Sequence, residues 1–276
     1  NALPSRAADF IGRNVDIHEL ITLIKSQRFV IVKGAHGIGK SAVCRELANF
    51  LCERQVFKDV IIYVSLQSCE SAEAVVTCLD SHIGTSTKKA DRKIDPRADL
   101  VTQICDYFKE RCTELLLILD DADQVLQNDR GNFRGLIEIL LNTCPRIKII
   151  AASRLTIGGG FQGFTEKVYN LNHLDKASSK ELFLIKAPRK LQEDEIKELV
   201  EYRPTDREIE YMASLHLNDQ YIQKGEENCR IKLLDNLNIR RKELSKYEIS
   251  FENHAIMKIL GGHPQSISLA AALLID

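Results

Sequence analysis

The stretch Gly34-Ala-His-Gly-Ile-Gly-Lys-Ser41 satisfies the pattern G-x-x-x-x-G-K-[ST] at every position. Its residue types suit the binding of phosphate groups. Glycines at 34 and 39 let the backbone bend tightly and approach phosphate oxygens with no Cβ in the way. Successive backbone N–H groups across Gly34, Gly37, Ile38, Gly39, Lys40, Ser41 and Ala42, with the start of a helix behind them, would form an anion cradle. Lys40 would reach the β- and γ-phosphates, and the Ser41 hydroxyl would ligate Mg²⁺.

Leu115-Leu-Leu-Ile-Leu-Asp-Asp121 supplies the complementary half, an apolar strand ending in two acids, the pattern called Walker B. Asp120 is expected to hold Mg²⁺ through water beside Ser41, and Asp121 to orient or deprotonate an attacking water. A third segment, Ile147-Lys-Ile-Ile-Ala-Ala-Ser-Arg154, ends in a polar pair. If its strand lies between the other two, Arg154 is placed to touch a γ-phosphate.

These groups need a scaffold that brings strand ends together. Strand-like runs are expected at Phe29–Val32, Val60–Val64, Leu115–Leu119, Ile147–Ala151 and Lys167–Asn170. Helical spacing marks Val15–Ile24, Ser41–Leu51, Ser71–Ile83, Ala98–Cys112 and Asn132–Leu141. Alternating strands and helices predict a parallel sheet with helices on its faces. From Leu174 onward strand signals fade. Ser178 with Glu181 fits a capping box opening a helix through Leu182 and Phe183. Residues 187–250 are dense in charges of both signs and read as solvent-facing helices joined by loops, with Phe251–Ile275 helical on either side of Gly261-Gly-His-Pro264.

Composition excludes several classes. The net charge is −1 over 276 residues, so no global field argues for nucleic acid or an anionic membrane. No apolar run approaches the roughly 18 residues that span a bilayer. The eight cysteines form no C-x-x-C pair, which speaks against zinc, and their apolar neighbours point to reduced thiols in a cytoplasmic protein. A first residue other than Met, and a last residue within an apolar helical run, suggest a segment of a longer protein.

With these motifs in order, the chain resembles the NB-ARC/NACHT-like signal-transduction ATPases (the STAND class), the NB-ARC branch above all. Phe10-Ile-Gly-Arg13 is similar to the family's "VGR" motif, which implies that Ile11, Gly12 and Arg13 lie against the adenine. Ser153-Arg154 is similar to its Thr/Ser-Arg sensor, and Leu171 to Phe183 to the opening of its small helical domain. Gly261-Gly-His-Pro264 resembles "G-G-x-P-L-A", whose proline packs on the adenine, although Gln265 and Ser266 depart from that pattern.

The resemblance implies an α/β P-loop NTPase fold (ASCE/AAA+-like), with a five-stranded parallel sheet flanked by helices over residues 1–173 and a helical lid domain over 174–276. It implies ADP or ATP with Mg²⁺ as ligands, and a regulatory switch whose nucleotide exchange controls opening and self-oligomerisation, with slow hydrolysis assisted by Lys40 and Asp121. The alternative is an AAA+-type turnover ATPase acting on a protein or nucleic acid. That class uses a lid arginine, and no arginine follows Pro264. A small-molecule kinase lacks a recognisable acceptor pocket, and a GTPase lacks the N-K-x-D motif.

Overall fold

The computed structural model describes residues 3–7, 9–57, 60–83, 99–111, 114–159, 161, 163–188 and 255–273. The charge-rich stretch 187–250 and the expected loop 84–97 therefore fall almost wholly outside the described residues. Two compact units divide the chain, Asn1–Asn172 and His173–Asp276.

In the first unit, α1 (Asn14–Ser26) leads into β1 (Phe29–Lys33) and α2 (Lys40–Glu53), followed by β2 (Val60–Ser65), α3 (Ala72–Ile83) and α4 (Leu100–Arg111). Then come β3 (Leu115–Asp120), α5 (Asp123–Asn128), α6 (Arg130–Thr143), β4 (Ile147–Ser153) and β5 (Lys167–Asn170). The strands form one parallel sheet in the order β2-β3-β4-β1-β5.

The central strands are apolar because both of their faces are covered. Residues alternate strictly between two cores. Phe29, Ile31, Leu115, Leu117 and Leu119 face a cluster built with α3, α4, α5 and α6, whereas Val30, Val32, Leu116 and Ile118 face one built with α1 and α2. The four-residue spacing of Val43, Leu47 and Leu51 puts all three on the buried side of α2. Each such fully buried aliphatic side chain contributes about 1.5–3 kcal/mol relative to exposure.

The consequence for function lies in the strand order. β4 is inserted between β1 and β3, with Lys33 opposite Ser153 and Leu119 opposite Ala151. The loop after β1, the acids after β3 and the polar pair ending β4 thus share the carboxyl edge of the sheet, where open α/β sheets bind ligands.

Three local readings change. β4 runs on to Ser153, because that serine is buried and hydrogen-bonded rather than exposed in a turn. A short helix, α5, follows the acids where none was expected, since Val125 and Leu126 bury against the core. In the second unit α7 (Lys176–Lys186) begins two residues ahead of Ser178. Its cap is Asp175, which accepts from the Ser178 N–H at 2.8 Å, so Ser178 sits inside the first turn.

The second unit also contains α8 (Ala255–Leu260) and α9 (Pro264–Ala272). Gly261 and Gly262, both at positive φ, break the chain between them. Gly262 O accepts from Leu174 N at 2.9 Å, which ties the break to the approach of α7. His263 caps α9, its Nδ1 accepting from Ser266 N, and Pro264 follows at the first helical position.

Candidate functional site

β1 delivers the loop directly, its ladder with β4 extended by Gly34 N donating to Ser153 O at 3.4 Å. Gly34 has no room for a side chain, since a Cβ there would lie 2.8 Å from Ile38 Cγ2 and 3.2 Å from Leu171 O. Ile38 is itself buried and anchors the loop to the α1–α2 core. Gly39 turns the chain into α2 at φ 102°, a conformation costly to any residue with a Cβ.

The start of α2 then stands open to an anion. It carries no capping side chain and no acidic residue in its first turn, in contrast to α7 with its Asp175 cap. Lys40 Nζ folds back over the loop and donates to Gly34 O and Ala35 O, both at 3.0 Å. Burial lowers the Lys40 pKa, while the charges of Asp123, Asp121 and Asp120 oppose that shift.

Ser41 Oγ donates to Asp120 Oδ1 at 2.9 Å, joining the phosphate loop to the end of β3. Asp120 is 6% exposed, and its second oxygen accepts from the Tyr63 hydroxyl at 2.6 Å. Burial and then the Asp120 charge push the Tyr63 pKa far upward, so the phenol is a fixed donor. Asp121 adopts φ 57°, left-handed backbone that is rare for a residue with a side chain. Its carboxyl is raised by burial and by the neighbouring charges of Asp123 and Asp120, with Lys40 and Arg154 countering.

Asp123 is the group that sequence reasoning passed over. Its Oδ1 accepts from Ser153 Oγ and from Arg154 N, each at 2.6 Å, and its Oδ2 from Arg154 Nε at 2.8 Å. Burial alone would raise its carboxyl, but the bonds from Ser153 and Arg154 outweigh that and hold it below the usual range. Asp123 therefore orients the arginine expected to act as sensor. The available signal was a third acid in Asp120-Asp-Ala-Asp123, three residues after the first and two after the second. Tyr63 was signalled more faintly, as a hydroxyl-bearing ring within the apolar run Val60-Ile-Ile-Tyr-Val-Ser65.

The structure thus brings together Gly34, Gly37, Ile38, Gly39, Lys40, Ser41, Ala42, Asp120, Asp121 and Arg154 at one sheet edge. Ile11 and Gly12 precede α1, and Arg13 is 5% exposed. The Arg13 guanidinium donates to Ile38 O at 2.9 Å and to Asn172 O at 2.7 Å, and pairs with Asp16 at 3.3 Å. It clamps the back of the phosphate loop to the end of the sheet. Pro264 belongs to the second unit, where it opens α9.

Residues 28–188, more than half of the chain, match the NACHT domain. The chain belongs to the NACHT domain family. The resemblance to the STAND class of P-loop ATPases holds, with NACHT as the branch that matches. The NACHT chain is a nucleotide-binding P-loop NTPase module.

Two solved structures with TM-scores above 0.5 share its fold. A Walker-type ATPase of Pyrococcus abyssi aligns over 99% of this chain and 99% of its own, at TM-score 0.51 and 16% identity. Drosophila ORC bound to DNA aligns over 95% of this chain and 60% of that one, at TM-score 0.53 and 14% identity. A STAND protein with a tetratricopeptide repeat sensor from Pyrococcus horikoshii gives TM-score 0.39 and 17% identity, over 71% of this chain and 28% of that one. No curated protein sequence matches the NACHT chain.

The donor set of this NACHT domain suits a hard divalent cation, because the Ser41 hydroxyl and the Asp120 carboxylate already converge. Bound there, Mg²⁺ would neutralise phosphate charge. Among the described residues, no helix is long and apolar enough to cross a membrane.

Proposed function

We propose that this chain is the nucleotide switch of a STAND-type signalling protein. It binds ADP or ATP with Mg²⁺ through Gly34, Gly37, Ile38, Gly39, Lys40, Ser41 and Ala42. Asp120 and Ser41 hold the metal, Arg154 senses the γ-phosphate, and Asp121 assists a slow hydrolysis that resets the switch. Residues 1–173 are the nucleotide domain in this reading, and 174–276 a helical lid, with Ile11, Gly12, Arg13 and Pro264 serving the adenine end. Exchange of ADP for ATP controls conformational opening and self-oligomerisation.

The observation that carries the reading is the Ser41–Asp120 bond at the carboxyl edge of the sheet, beside an arginine that Asp123 holds in place. A device that distinguishes ATP from ADP needs a contact made with only one of them. Arg154, oriented yet with its side chain 44% exposed, supports that role.

Two measurements test the proposal. Denaturing the purified protein and separating the released small molecules by chromatography should yield stoichiometric ADP. Lys40→Ala should remove tight adenine-nucleotide binding, and retained binding would refute the site. Steady ATP turnover stimulated by a polymer would instead favour the AAA+-type ATPase, which shares this core fold. Guanine nucleotide in the site would overturn both.

A further inference from the structure

The hydrogen bonds of Asp120 divide unequally between function and framework. Its Oδ1 faces the phosphate loop through Ser41, at 2.9 Å. Its Oδ2 is taken by the Tyr63 hydroxyl, at the shorter distance of 2.6 Å. Tyr63 comes from β2, outside every motif recognised in the sequence, and packs on the α1–α2 side of the sheet. In the β2–β3 ladder Tyr63 pairs with Ile118 and Ser65 with Asp120, so the ring must reach along its strand to the carboxylate.

A carboxylate on a strand end can rotate about its last bond, which would let either oxygen meet a cation. Here one oxygen, Oδ2, is already engaged by the Tyr63 hydroxyl at 2.6 Å. A second donor, Ser41, aligns the other oxygen with the loop. Outer partners of this kind orient ligating carboxylates and tune their affinity for metal.

We infer that Tyr63 is a positioning residue for the divalent cation, fixing the Asp120 carboxylate so that Oδ1 is presented toward Ser41. This rests on the nucleotide-site reading above and adds to it a residue that acts on the metal rather than on the nucleotide. The bland alternative is that Asp120 merely satisfies a half-buried phenol, as a buried tyrosine hydroxyl requires.

The two are separated by how strongly magnesium tightens nucleotide binding, a ratio that general loss of stability does not move. Fluorescently labelled ADP is titrated into the nucleotide-depleted full chain and into Tyr63→Phe, with Mg²⁺ varied from chelated to millimolar. The variant keeps the ring and deletes the hydroxyl. The magnesium concentration at half-maximal tightening should rise about tenfold, the lower end of what losing an outer partner of a ligand costs.

Binding without magnesium reports whether the variant is folded. Tyr63→Leu, which also removes the hydroxyl, must shift the magnesium dependence in the same direction. Equal dependence in wild type and Tyr63→Phe overturns the role of Tyr63 while leaving the nucleotide site intact. If the wild type binds labelled ADP in neither condition, the nucleotide-site reading falls and this inference falls with it.

Discussion

Asp123→Asn isolates the contribution of the carboxylate that holds Arg154. The change is isosteric, so the amide oxygen can keep the Oδ1 position and still accept from Ser153 Oγ and Arg154 N. The amide nitrogen then replaces Oδ2 and meets Arg154 Nε donor to donor, where a 2.8 Å charged bond stood. Hydrogen bonds to a charged group are worth about 1.5–3 kcal/mol and neutral ones about 0.5–1.5, so weakening the two retained bonds costs about 1 kcal/mol each. The lost ion pair adds less than about 1 kcal/mol, because the Arg154 side chain is 44% exposed and screened. A total near 2–3 kcal/mol follows.

Urea denaturation at neutral pH should show it as a lower midpoint at unchanged slope. The pH dependence has a definite sign. Asp123 is depressed in the folded state, because the bonds from Ser153 and Arg154 overcome the opposing effect of burial. Its stabilisation is therefore present above the unfolded carboxylate value of about 3.9, and is lost as pH falls through the lower folded value. The gap between wild type and variant should be full at neutral pH and close progressively below about pH 4. A difference under about 0.5 kcal/mol at neutral pH, or one that persists unchanged into strong acid, would refute the role given to Asp123. Labelled ATP and ADP titrations give a second readout, since Arg154 released from Asp123 should discriminate less well between them.

Two further substitutions probe how the phosphate loop is held. Gly34→Ala drives a methyl group to 2.8 Å from Ile38 Cγ2 and 3.2 Å from the carbonyl of Leu171, and should cost about 1–3 kcal/mol with weaker nucleotide binding; a melting temperature equal to wild type would contradict the tight approach. Arg13→Ala deprives the carbonyls of Ile38 and Asn172 of a charged donor and should destabilise the nucleotide-free protein by about 2–4 kcal/mol. If instead only adenine affinity fell, with thermal stability untouched, Arg13 would be a ligand contact rather than a clamp.

Much of this molecule is written locally. The phosphate loop is a contiguous pattern whose glycines and lysine carry their roles wherever a strand precedes and a helix follows, and β1 and α2 are both marked by their own apolar spacing. The central strands betray themselves as uninterrupted runs such as Leu115–Leu119, because a strand covered on both faces has no polar side to show. Less legible were α5, too short for its periodicity to register, and the true cap of α7, since Asp175 and Ser178 are both good caps by residue type.

What tertiary structure alone decided is which side chains meet. No local signal says that β4 lies between β1 and β3, which is what sets Arg154 beside the phosphate loop. The partners of two of the acids are drawn from α2, β2 and the end of β4: Asp120 meets Ser41 and Tyr63, and Asp123 meets Ser153 and Arg154. Arg13 is marked by its motif, but its bonds to the carbonyls of Ile38 and Asn172 arise only in the packed fold, because both partners are remote in sequence. Residue types declare what chemistry is available, whereas the pairing of donors with acceptors depends on strand order and register, which are properties of the packed sheet and of no single segment within it.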